Sequence, residues 1–151
     1  MKFLLILLAI LLGFGLLVTG VVTWADDSGD SGRSEESSSE LVGPIWEWQE
    51  FLGGDDSTVT PDDPSQYTIQ FAEDGSVAIQ ADCNRAFGTY EEDGGSLRIQ
   101  VGGVTRAACP PESLSDQFLE DLGYVRTYVL EDEELCLNLM ADAGDMRFST
   151  A

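Results

Sequence analysis

Asp82-Cys83-Asn84-Arg85-Ala86-Phe87-Gly88 and its echo, Thr105-Arg106-Ala107-Ala108-Cys109-Pro110, decide how this chain is read. Each stretch sets a cysteine and an arginine among backbone-bending residues. Each falls where a run of alternating strand pattern stops. The two are read as loops drawn together by a Cys83–Cys109 disulfide, which an oxidising compartment would favour. A third cysteine, Cys136, leaves an odd thiol. It alternates out of phase with Leu135, Leu137 and Leu139. It is therefore a free thiol on the second face or an alternative partner, and counting does not decide between them.

Outward from these stretches the pattern is mostly period two. Trp46 and Trp48 share a face over residues 45–51, where they read as core and rim in preference to a sugar platform. After a polar loop with Pro61 and Pro64, Tyr67, Ile69 and Phe71 share a face opposite Thr68 and Gln70. Asp74-Gly75 is a tight-turn signal, and Val77, Ile79 and Ala81 return on the next strand. A strand over residues 87–91 ends at Asp93-Gly94-Gly95, and Leu97, Ile99 and Val101 alternate beyond it. Residues 111–122 differ: Leu114, Phe118, Leu119 and Leu122 recur at helical spacing, with Pro111 or Ser113 suited to the start and Gly123 to the stop. Strand pattern resumes over residues 124–130, then at Leu135, Leu137 and Leu139, and last at Met146 and Phe148. The expected fold is mainly β with one helix (α+β), a small antiparallel, barrel-like sheet of about eight strands covered by one α-helix.

The chain of 151 residues has room for one domain, with 7 basic and 28 acidic residues and a net charge of −21. Six of the acids precede Leu41, so 22 acids face 5 arginines in the remainder. Such a surface repels phosphate backbones, which argues against nucleic acid as a partner. Scarce lysine among abundant acids also fits adaptation to high salt. There is no histidine, so His-dependent triads and His-ligated zinc are excluded. No cofactor or metal is implied, and no enzymatic activity is read.

Residues 3–24 carry no charge and follow Met1-Lys2. As a helix these 22 residues would span about 33 Å, enough to cross a bilayer. Residues 1–25 are read as a membrane anchor or a signal peptide cleaved after Ala25; both place the rest outside the cytoplasm. Leu17-Val18-Thr19-Gly20 lacks the following cysteine that lipidation needs, because Val21 stands there. Residues 26–40, built of Ser, Gly, Asp and Glu with a single Arg, form a disordered acidic tether. Residues 41–151 form the globular domain. The partners expected are the membrane, through the N-terminal segment, and an envelope protein.

Across that domain the residues resemble the META (HslJ-like) domain family. The carriers are Trp46, the turn from Phe71 to Gly75, Cys83-Asn84-Arg85-Ala86-Phe87-Gly88-Thr89-Tyr90, Leu97, Thr105-Arg106 with Cys109-Pro110, Phe118-Leu119, Leu135 and Arg147-Phe148. One departure is Ala107, where similar members usually have Met. The resemblance implies a compact β-barrel-like fold with one helix, often secreted or envelope-anchored. It implies links to heat-shock response, novobiocin tolerance, motility or virulence, and offers no catalytic mechanism to carry over.

The candidate site residues are the Cys83 and Cys109 pair with Asn84, Arg85, Phe87, Gly88, Thr105, Arg106 and Pro110 around it. The pair lacks the Cys-x-x-Cys spacing of a redox site, so a structural bridge is the reading. Asn84 is read as taking a positive φ or capping the bend. Arg85 and Arg106 are read as pairing with Asp82 or nearby carbonyls, against a cationic spot for a ligand carboxylate or phosphate. The acid groups at Asp55-Asp56, Asp62-Asp63, 91–93 and 131–134 lack the order of a calcium loop and read as solvated surface. The function expected is non-enzymatic binding at the cell envelope under stress. The rivals are a small barrel holding a lipid or a partner's hydrophobic segment, and a carboxylate-based hydrolase.

Overall fold

The structure is a computed structural model that describes residues 40–151. The anchor or signal reading of residues 1–25 and nearly all of the tether lie outside the described residues. Among the described residues no helix is long and apolar enough to cross a membrane. The strands are β1 (Ile45–Gly53), β2 (Thr58–Val59), β3 (Tyr67–Phe71), β4 (Ser76–Ala81), β5 (Asn84–Asp93), β6 (Ser96–Val104), β7 (Val125–Glu131), β8 (Glu134–Leu139) and β9 (Gly144–Thr150), with one α-helix, α1 (Ser115–Tyr124), before β7. Setting aside the two-residue β2, eight antiparallel strands follow one another round a closed barrel, because β9 pairs back onto β1. The expected mainly β fold with one helix is the fold found.

Alternation drives the closure. Trp46, Trp48, Ile69, Phe71, Val77, Ile79, Leu97, Leu135, Leu137, Met146 and Phe148 all point inward and are buried. The rim reading of Trp48 is corrected, since it is 0 % exposed. Both of these indole N–H groups find an acceptor, as a buried one must. Trp46 Nε1 donates to the Leu41 carbonyl at 3.0 Å, and Trp48 Nε1 to the Glu50 carbonyl at 2.9 Å. The second bond falls where the β1–β9 register shifts between Trp48 and Glu50.

The seam between β6 and β7 pairs only at Ser96↔Thr127. Helix α1 lies against β6 and β4 and sends Phe118 into the barrel. There the Phe118 ring meets Trp48 at 5.1 Å, Tyr67 at 5.6 Å and Phe148 at 6.2 Å between centroids. The helix begins later than its expected bounds of 111–122, because Pro110 to Ser113 forms a separate turn (Ser113 N–H to Pro110 C=O, 3.0 Å) and the first helical bond runs from Phe118 N–H to Leu114 C=O. Gly123 lies inside the last turn rather than ending it. The helix stops instead where Val125 turns extended (φ −57°, ψ 138°) to pair with Leu139.

Asp121 on this helix has a buried carboxylate oxygen, Oδ2, with no hydrogen-bond partner. Burial, with a smaller push from Glu120, raises its pKa above the ordinary 3.8. A raised folded-state value means that stability falls as pH rises from 3.8 through that value. Asp121→Asn is therefore expected to raise the melting temperature at pH 7. The gain corresponds to about 1 kcal/mol after solvent screening, and it should shrink away below pH 3.8. An equal effect at pH 3 and pH 7 would contradict this.

Among the described residues the salt bridge present is Arg147–Glu50 at 3.4 Å, on the surface. Most of the acid surface is thus unpaired and self-repelling, and salt screens such repulsion. Melting temperature is expected to climb from low to molar sodium chloride, and a flat response would remove salt adaptation as a reading.

Candidate functional site

The two opening stretches meet at one end of the barrel. Cys83 and Cys109 are joined by a disulfide, with their Cα atoms 5.5 Å apart. The bend before Asn84 is a two-residue turn in which Asp82 takes the left-handed conformation (φ 55°) and Ala81 pairs with Asn84. This corrects the reading of Asn84 as the positive-φ residue. The turn is so short that β5 starts at Asn84 instead of Phe87, so Asn84, Arg85, Phe87 and Gly88 lie in a strand and not in a loop.

Asn84 is the hub of the junction, at 7 % exposure. Its Oδ1 accepts from the Thr105 hydroxyl at 3.1 Å and the Ala107 N–H at 2.8 Å. Its Nδ2 donates to Cys109 Sγ at 3.1 Å and to the Ser115 hydroxyl, itself buried, at 3.4 Å. Arg85 and Thr105 are bonded twice: the Arg85 N–H donates to the Thr105 side-chain hydroxyl, Oγ1, and the Thr105 N–H to the Arg85 carbonyl, both at 2.9 Å. One amide side chain therefore ties β5, the 105–109 segment and the start of α1 together. Sequence reading missed Ser115, whose only signal was a small polar residue facing inward on an apolar helix stripe.

Gly88 and Phe87 are explained by packing. The β5–β6 register shifts between Ala86 and Gly88, and a Cβ on Gly88 would overlap the Gln100 carbonyl oxygen. The Phe87 ring lies across Gly103 of β6, so closely that a Cβ there would run into the ring. Pro110, next to the bridge, lines a cleft of about 300 Å³ with Tyr67, Asp62, Asp63, Asp82 and Glu112. Among the described residues no guanidinium of Arg85 or Arg106 makes a hydrogen bond or ion pair, which corrects the expected pairing with Asp82 or carbonyls. Both side chains are exposed.

Cys136 is outside the junction, half-buried on β8, with Asn138 Nδ2 at 3.7 Å from its sulfur. Burial first and the Asp145 carboxylate second push its thiol above the usual value. Under non-reducing conditions a single thiol per chain is expected to alkylate. It should react several-fold more slowly than a cysteine peptide at pH 8, because little of it is thiolate. Fast labelling would contradict the burial.

The outer wall holds a second feature. Strands β3 and β4 carry no Asp, Glu, Lys or Arg, in a domain otherwise coated with acid. Their outward residues Thr68, Gln70, Ala78 and Gln80 floor a shallow trough of about 350 Å³, closed at its ends by Ile45 and Phe87 and flanked by Arg85. Ile45 is 45 % exposed and Phe87 69 %. Register places Ile45, Gln70, Ala78 and Phe87 in one row across β1, β3, β4 and β5. Three strand spacings make that row about 14 Å long. The run of uncharged residues was visible in the sequence, but which of them faced the same way as Phe87 depended on the turn length at Asp82.

Catalytic chemistry finds no assembled nucleophile and base here: the disulfide sulfurs are bonded to each other, and Asn84 is spent on structural bonds. Among the described residues no three acidic or sulfur ligands converge as a metal centre would require.

Comparison with known proteins places this arrangement. The META domain family model matches residues 39–151. Among solved structures, a protein from Burkholderia xenovorans determined by NMR is similar at TM-score 0.65 and 19 % identity, covering 77 % of this chain and 87 % of that one. A DUF4847-family protein from Bacteroides vulgatus is similar at TM-score 0.58 and 16 % identity, covering 75 % and 96 %. These likenesses concern the fold alone. No curated protein matches the chain. The family model spans the whole barrel with its bridge, Asn84 hub and helix, and the chain belongs to the META domain family.

Proposed function

We propose that this protein is a non-enzymatic binding module of the cell envelope, tethered through its N-terminal segment and acting in envelope maintenance under stress. The observation that carries a binding role is the trough between Ile45 and Phe87, free of acidic lining residues and edged by Arg85, on an otherwise acidic domain. Charged residues are depleted at the centre of contact surfaces, and aromatic residues and arginine are enriched there. An acid coat keeps other faces apart while this one remains able to make contact. The uncharged stretch of residues 3–24 and the stapled junction support an exported, oxidising setting. The resemblance to envelope-anchored family members supports the stress context.

The rival in which the barrel holds a lipid has less support. The interior is filled by Trp46, Trp48, Phe71, Phe118 and Phe148, leaving the outer wall as the better contact surface. For the carboxylate hydrolase, the cleft beside Pro110 gathers Asp62, Asp63, Asp82 and Glu112, but none of the four is buried as a perturbed general acid would be. A photo-crosslinking residue at position 87 tests the binding reading, with the same residue at the exposed position 129 on β7 as control. Adducts from native envelopes are expected at 87 and not at 129. Equal labelling at both, or none at 87, would defeat the proposal.

A further inference from the structure

The trough has a chemistry more specific than apolar contact, and we infer that it binds a saccharide of one or two rings, neutral or carrying a single carboxylate. This inference rests on the binding reading of the same face and names the class of ligand.

A sugar ring has one apolar face and a rim of hydroxyls, each of which both donates and accepts. The trough offers the complement. Phe87, 69 % exposed, lines one end with its ring seated across Gly103, which leaves much of the aromatic surface open to a ligand, and Ala78 and Ile45 continue an apolar floor. Gln70 is held in place by donating Nε2 to the Gly43 carbonyl at 2.7 Å. Only an amide N–H can make that bond, so Gln70 Oε1 is left as an oriented acceptor. Gln80 likewise donates Nε2 to Gln66 Oε1 at 3.2 Å, which leaves its own Oε1 as a second acceptor. Among the described residues neither oxygen has a partner. Arg85 supplies donors at the same edge, and among the described residues its guanidinium has no partner. Acceptors fixed in advance, donors beside them and a stacking ring lower the ordering cost of binding a hydroxyl-rich ligand.

The alternatives fit less well. An extended peptide gains affinity from a free strand edge, but β3, β4 and β5 each have neighbours on both sides, so this face has no edge to extend. A polyanionic glycan would be repelled by a domain of 22 acids and 5 arginines. One carboxylate placed at Arg85 is tolerable, since the guanidinium is unpaired.

The test uses the full-length protein in a detergent without a sugar headgroup. Ligand-observed NMR is run against neutral mono- and disaccharides of hexose and N-acetylhexosamine and their single-carboxylate analogues. A polysulfated glycan and an apolar hexapeptide serve as contrasts. Saturation transfer to ring-face protons is expected for at least one neutral or singly acidic member, with millimolar affinity. Phe87→Leu keeps an apolar cover on Gly103 and should weaken binding about tenfold. Phe87→Tyr should retain it, and Gln70→Ala should weaken it without loss of melting temperature. Silence across the saccharides, binding of the hexapeptide or the polysulfated glycan alone, or binding indifferent to Phe87→Leu and Gln70→Ala would each overturn the inference. Envelope crosslinks to protein from position 87 together with a silent saccharide panel would overturn the saccharide and leave the binding reading standing. No adducts at 87 would remove both.

Discussion

Gly88→Ala is expected to destabilise the domain by about 3 kcal/mol, a large fraction of the stability of a domain this size, and to lower the melting temperature by about 10 °C or more. The residue sits at the register shift of the β5–β6 pair, where the two backbones come unusually close. A methyl group there would overlap the Gln100 carbonyl oxygen, and the Gln100 carbonyl carbon and Gly102 nitrogen lie at 3.0 and 3.2 Å. All three are backbone atoms, so no side chain can swing away. Relief would require moving β6 outward, and β6 carries Leu97 and Ile99 into the core. Gly94, in the β5–β6 turn, makes an informative comparison, because a Cβ there meets nothing within 4 Å. It has a φ of 55°, so Gly94→Asn should cost little, asparagine being tolerated in that region. Thermal melts of the two variants check this. A Gly88→Ala protein within a degree or two of wild type would mean that the strands part more easily than their packing implies.

Asn84→Ala should cost as much as removing the disulfide, about 3 kcal/mol by either route, although only the disulfide is covalent. The bridge closes a separation of 26 residues, and a cross-link of that span contributes about 3 kcal/mol by restricting the unfolded chain. Removing the Asn84 amide leaves the Ala107 N–H and the Ser115 hydroxyl without the partner each now has, and the Thr105 hydroxyl with only the Arg85 N–H. A buried group stranded in this way, as Ser115 would be, costs about 1–3 kcal/mol, and the part-buried bonds to Thr105 and Ala107 cost less because water reaches them. The two devices hold the same segment, residues 105–109, to the same strand. Their loss should therefore be non-additive: Cys83→Ser on top of Asn84→Ala should cost clearly less than the sum of the singles. Denaturant melts of the double-mutant cycle, run oxidised and reduced, measure the coupling. Strict additivity would mean that hub and bridge do not share the segment. An oxidised Cys83→Ser protein as stable as wild type would mean that the bridge contributes nothing.

Comparison of expectation with outcome shows where local pattern is sufficient. The period-two runs at Tyr67, Ile69, Phe71 and at Leu135, Leu137, Leu139 map onto buried positions of β3 and β8 without change. One buried face and a strict alternation leave a single register. Two readings moved because each depended on a turn, and a third because exposed side chains are free to move. Asp82 took the left-handed conformation given to Asn84, which lengthened β5 and turned a motif loop into a strand. The 110–113 turn delayed the helix past Pro111. Arg85 and Arg106 did not reach the partners proposed for them, because a long exposed side chain has no packing to dictate its direction.

By itself the sequence determined the closed antiparallel core, the single helix and the cysteine pair open to bridging, because burial alternates with strand period and apolar side chains have one place to go. It also determined the acid coat and the absence of histidine chemistry. Only the tertiary structure decided that Asn84 is a buried hub, that Gly88 answers a backbone approach, and that Ile45, Gln70, Ala78, Gln80 and Phe87 share one outer wall. Those relations join residues from separate strands, and their placement follows from how the barrel is staggered on closing, which no local stretch of chain encodes.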